Sequence, residues 1–77
     1  MDRTAADAVT KALLGKIHRK LQEAASIAKA AEVCAESGNV QGAVTMVMDI
    51  EDPTYQANRM LSAALLIRND LSDEGID

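Results

Sequence analysis

An all-α fold follows from three features of this 77-residue chain. Apolar residues recur at helical spacing with no strand-like alternation of useful length, and the four Gly and one Pro are isolated. The third feature is the supply of small side chains: 14 alanines stand against a single aromatic residue, Tyr55. The expected architecture is a long N-terminal helix plus an α-hairpin. Together they would form a three-helix bundle in one domain over residues 1–71, completed by dimerisation. Residues 72–77, acidic and Gly-containing, are expected to be a disordered tail.

The first helix opens at Thr4, read as the N-cap, with Asp7 three residues on in a variant of the capping box. Strong helix formers continue to Glu36, and Ser37-Gly38 supplies the stop, Gly38 suiting the left-handed C′ position. Such a helix spans roughly 45–50 Å. Gly15 interrupts it at a cost of about 1 kcal/mol, which leaves open a kink or a break there. Asn39 then caps a second helix from Val40 to about Ile50, with Val40, Ala43, Val44, Val47, Met48 and Ile50 at helical spacing. Pro53, as first helical residue after an Asp52 cap, opens a third helix running to about Asn69 or Leu71. Its inward stripe is read as Ala57, Met60, Leu61, Ala64 and Leu65, while Leu66, Ile67 and Leu71 widen the apolar arc toward a second neighbour.

With 48% hydrophobic and 26% charged residues the balance is globular. A chain of this size yields only about 3–5 kcal/mol from its own core, and small side chains place this one low in that range. Association is the expected supplement. On the first helix, Leu14, Ile17, Leu21, Ala24, Ala28, Ala31 and Ala35 are spaced alternately by three and four, a heptad seam. The second and third helices can fill this groove. Alternatively, two antiparallel copies centred near Ser26 would set Ile17 against Ala35, Leu21 against Ala31 and Ala24 against Ala28. The same register places Lys16 by Glu36 and Lys20 by Glu32, so a homodimer through this seam is expected.

The net charge of −4 is unevenly distributed. Residues 1–31 hold six basic and three acidic side chains, whereas residues 32–77 hold two and nine. The basic segment can pair with an acidic half of its own or another copy, or Lys16, Arg19 and Lys20 can contact nucleic acid along one helix face. A single aromatic residue argues against single-strand binding, and no short recognition helix follows a tight turn. One cysteine, Cys34, excludes an intramolecular disulfide framework and fits a reducing compartment. The longest apolar run, Ala63 to Ile67, is five residues, far short of the ~20 that cross a bilayer. A cytoplasmic protein with no membrane contact is expected.

Chemistry is sparse. His18 and Cys34 lie sixteen residues apart on one helix, about 24 Å along its axis, too far to act as base and nucleophile. No spacing matches a metal site, no Gly-rich phosphate loop is present, and the acidic clusters at Asp49-Glu51-Asp52 and Asp70 to Asp77 read as helix caps and a solvated tail. No cofactor is expected. Met46, Leu66 and Ile67 are the candidate contacts for a protein partner, Met being an adaptable contact residue.

Residues Ile27 to Pro53 resemble one tetratricopeptide (TPR) unit. The resemblance rests on Ala31 in the first helix, Gly38-Asn39-Val40 at the turn, Ala43, Val47 and Ile50 on the second helix, and Pro53 after it. The sequence departs from the family pattern at Cys34, where Tyr is common, and at Pro53, about two residues early. The resemblance implies a helical hairpin used for protein–protein contact. The expected function is therefore a non-catalytic regulatory or adaptor protein acting through protein contacts and self-association. The alternative is a small nucleic-acid-associated regulator using Lys16, Arg19 and Lys20.

Overall fold

The computed structural model describes residues 2–74, arranged as α1 (Arg3–Glu36), α2 (Val40–Val47), a 3-10 turn (Met48–Ile50) and α3 (Glu51–Glu74). The described residues are helical almost throughout, without strands, as the composition predicts. α3 reaches Glu74, three residues into the segment expected as a tail; residues 75–77 lie outside the described residues.

The cap of α1 lies two residues before the expected Thr4. Asp2 caps it instead, its two carboxylate oxygens accepting from Thr4 N at 3.4 Å and Ala5 N at 3.3 Å. A carboxylate can satisfy two orphan donors at once and places negative charge at the positive end of the helix, which a Thr hydroxyl cannot match. The helix runs unbroken through Gly15, where the Arg19 guanidinium lies near the space a side chain would occupy. A Cβ at Gly15 would meet Arg19 Nη1 at 3.7 Å, an ordinary contact.

The turn after α1 closes by local hydrogen bonds. Gly38 adopts φ +102°, so the chain reverses there in the left-handed region. Asn39 N donates to Cys34 O at 3.1 Å and Gly38 N to Ala35 O at 3.0 Å, the paired bonds of a Schellman motif. Asn39 then caps α2, as expected, with its side-chain oxygen accepting from Gly42 N at 2.9 Å. A Cβ at Gly42 would run into that Asn39 carboxamide, so the small residue keeps the cap in place.

The returning arm is interrupted at Met48–Ile50, where the helix tightens into the 3-10 turn, and Pro53 becomes the third residue of α3 rather than its first. Pro53 lacks the N–H that a continuous α-helix would direct to Asp49, and its ring crowds that carbonyl. Tightening the preceding turn accommodates both, and leaves Pro53 buried.

Both α2 and α3 pack along α1, and among the described residues they do not pack on each other. The result is a hairpin about 59 Å long and 15 Å across, two helices thick instead of a three-helix bundle. A three-residue turn and a nearly straight returning arm allow only one reversal. The contact line on α1 is Ala6, Leu13, Ile17, Ala24, Ile27, Ala31 and Cys34, seven residues of the 3-4 pattern. Opposite them lie Ala43, Ile50, Pro53, Ala57, Met60, Ala64, Ile67 and Leu71. Among the described residues, the buried hydrophobic side chains besides Pro53 are all alanines: Ala6, Ala24, Ala31, Ala43 and Ala57. Ala57, Met60 and Ala64 thus point inward as expected, whereas Leu61 and Leu65 are exposed beside them.

Two glycine substitutions should move stability in opposite directions. Gly15→Ala has room and a helical backbone, and should stabilise the protein by about 0.5–1 kcal/mol. Gly38→Ala meets no neighbour but must hold a positive φ, and should destabilise it by about 1 kcal/mol. Urea unfolding of both variants at one protein concentration measures this, and equal midpoints would contradict the backbone argument.

Candidate functional site

The seam expected on α1 divides into two adjacent columns. Ile17, Ala24 and Ala31 turn inward, with Ala24 and Ala31 buried by the returning arm, and Ala35 is half-buried. Leu14, Leu21 and Ala28, each seven residues apart, stand exposed on the flank. A register centred near Ser26 would need Ala24 and Ala31 at the contact between copies, where they already sit against their own chain. Its charge pairs are also partly engaged within the chain: Lys20 lies 4.0 Å from Glu23, and Glu32 lies 3.2 Å from Lys29.

The exposed column borders an open groove of about 660 Å³ between α1 and the returning arm. Ile17 and Leu21 form one wall; Val47, Ile50, Tyr55, Ala57 and Leu61 form the other, with Glu51, Thr54 and Asn58 as its polar members. Helical spacing explains why the flank is apolar. Leu21 lies four residues beyond covered Ile17, and Leu61 four beyond covered Ala57, so both project to the same side of the hairpin. The opposite side carries Lys16 and Glu23 on α1 and Asp49, Gln56 and Asp70 on the arm. The groove face is the more apolar of the two, although Val9, seven residues before Lys16, is exposed on the other.

Several large apolar side chains remain exposed on or near the groove face: Leu14 at 56%, Leu21 at 49%, Leu61 at 47% and Leu65 at 39%. Tyr55, which sequence reasoning noted only as the lone aromatic, stands at the groove wall. Its ring lies 5.8 Å from the Arg59 guanidinium carbon, and its hydroxyl accepts from Arg59 Nη1 at 3.3 Å. Lining Glu51 is one residue from Asp52, whose carboxylate accepts from Gln56 Nε2 at 2.9 Å.

The expected partner contacts are scattered. Leu66 is the most exposed large apolar side chain at 69%, on the side away from α1, and Met46 is marginally exposed. Ile67 is half-buried on the inward line. Lys16 and Arg19 are exposed and Lys20 is half-buried beside Glu23. His18 and Cys34 stay on one straight helix; Cys34 Sγ donates to Asn39 O at 3.4 Å, which ties it to the turn. Among the described residues no group of His, Cys, Asp and Glu is placed to hold a metal ion. No helix among them is long and apolar enough to cross a membrane.

The division of the seam gives a paired expectation. Ala24→Leu should overpack the hairpin and destabilise it by about 1–3 kcal/mol, whereas Ala28→Leu, on the open flank, should leave unfolding within about 0.5 kcal/mol of the parent. Denaturant titration followed by circular dichroism distinguishes them, and equal losses would mean that both columns face inward. Compared with known protein families, with curated proteins and with solved structures, the chain matches none.

Proposed function

We propose that this protein is a small non-catalytic regulatory or adaptor module that acts through helix-to-helix protein contacts and associates with itself. The observation that carries this reading is the inversion of its apolar residues: alanines occupy the most covered positions while Leu14, Leu21, Leu61, Leu65 and Leu66 stand exposed. A monomer rarely keeps a continuous apolar face in water unless something covers it. The TPR-like segment, residues 27–53, supports the same reading, since a helical hairpin with an open apolar face suits protein recognition.

Dimerisation would complete the fold by covering the groove face of each copy, turning two hairpins into a bundle. A partner of another kind would then use the outward side, where Leu66 stands alone among polar residues. The non-catalytic part of the proposal draws support from chemistry: the one imidazole and the one thiol are held apart on a single helix, and the thiol is engaged with the Asn39 carbonyl. The nucleic-acid reading has less support. Lys20 is beside Glu23, and the single aromatic ring is occupied by Arg59.

Light scattering coupled to size exclusion, across a dilution series, tests the reading. The expected mass is about twice the 8.2 kDa chain at micromolar concentration, insensitive to moderate salt because the contact is apolar. Leu14→Asp combined with Leu21→Asp should return the protein to monomer while helical content falls only with the lost association. A parent that stays monomeric at millimolar concentration would overturn self-association.

A further inference from the structure

This inference rests on the self-association proposed above and specifies its geometry. We propose that the groove between α1 and the returning arm is filled by a second copy of this chain lying antiparallel, related by a two-fold axis through the middle of the groove. Two hairpins thereby form a four-helix bundle.

The first argument is position. Ile17 and Leu21 lie at the middle of α1, and Ala57 at the middle of the arm from Val40 to Glu74. A two-fold axis there overlays two 59 Å rods along their whole length; an axis near either end would leave half of each apolar face uncovered. The second argument is area. A compact folded chain of 8.2 kDa exposes about 4,500 Å², whereas this one exposes 5569 Å². The excess of roughly 1,000 Å² comes from the thin rod shape, and covering one long face could remove the ~800 Å² that each partner contributes to a stable interface.

The third argument is charge, and it fixes direction. The half of the hairpin around the turn, residues 21–57, holds six acidic and one basic side chain. The half carrying the chain ends holds, among the described residues, five acidic and seven basic. Helical spacing extends the groove flank to Lys11, three residues before Leu14, and Arg68, seven beyond Leu61, near the open end, and to Glu32, four beyond Ala28, near the turn; all three are exposed. The tight turn sets the levels of the two arms, Leu21 beside Tyr55 and Arg68 beside the first turns of α1. Rotation about the central axis brings Glu32 of one copy level with Lys11 and Arg68 of the second copy. Parallel copies would put Glu32 on Glu32 and Arg68 on Arg68, with the acidic turn halves facing each other.

The test is a distance measured by double electron–electron resonance on the full chain, spin-labelled at Glu36→Cys in a Cys34→Ser background. The antiparallel bundle places the two labels at opposite ends, roughly 45 Å apart from the helical rise. A separation below about 20 Å would overturn the antiparallel geometry and leave self-association standing, while the absence of any dipolar signal would overturn both. A second measurement checks the register. Arg68→Glu should raise the dimer dissociation constant about tenfold, and adding Glu32→Arg should restore it. No weakening, or no rescue, would overturn the pairing of those residues.

Discussion

Alanine at the contact line is the constraint on which the other features depend. Helices that meet through alanines can approach to the near end of the roughly 8–10 Å range, and they bury little apolar area in doing so. At about 0.8 kcal/mol for each buried CH₂-sized group, five covered methyls are a modest return for ordering some seventy residues. Where the alanines meet, close approach leaves little room for a larger side chain, and Leu13, Ile17, Ile27, Met60, Ile67 and Leu71 on the same line are only half-buried. Leu14, Leu21, Leu61 and Leu65 are displaced to the flank, where they make one face of the hairpin apolar. The thin interior and the oily exterior are thus two results of the same choice of residues.

Pro53 determines where along the rod that face opens. The returning arm approaches α1 first as α2, then passes through the 3-10 turn, then continues as α3. Val47, Ile50, Glu51 and Thr54, all lining the groove, lie on or beside this change of winding. A 3-10 turn rotates successive side chains by more than an α-turn does, so the covered line of α2 and that of α3 are out of phase across it. The gap left between them and α1 is the groove. Its position at mid-length follows from the position of one imino acid in the sequence.

Much of the helical layout was legible in the residues. Gly38 and Asn39 fix the turn because only a few residue types serve as C′ and N-cap, and each stands where its role requires. The covered alanines at 43 and 57 follow from spacing alone. Other features were not legible, for identifiable reasons. Asp2 and Thr4 are both capping residues two positions apart, and the choice turned on a carboxylate serving two donors. The seam on α1 contains two columns, Ile17 to Ala31 and Leu14 to Ala28, with the same seven-residue period. Periodicity cannot say which one faces inward, and it favoured counting both. The 3-10 turn is a backbone response to Pro53 and leaves no trace in the apolar pattern, so the groove and the place of Tyr55 in it had no sequence signal beyond composition.

The turn at Ser37–Asn39 has a consequence in time as well as in space. It is three residues long, is held by bonds within five residues of each other, and brings together helices that are neighbours in sequence. Closing so short a loop takes on the order of 10–100 ns, and a helical hairpin of low contact order folds in microseconds to milliseconds. Each chain can therefore reach its hairpin shape before it meets another at cellular concentrations. In the proposed dimer, encounter would join preshaped rods, and the slow step in assembly would be bimolecular, set by how much of the protein a cell makes rather than by how fast the chain folds.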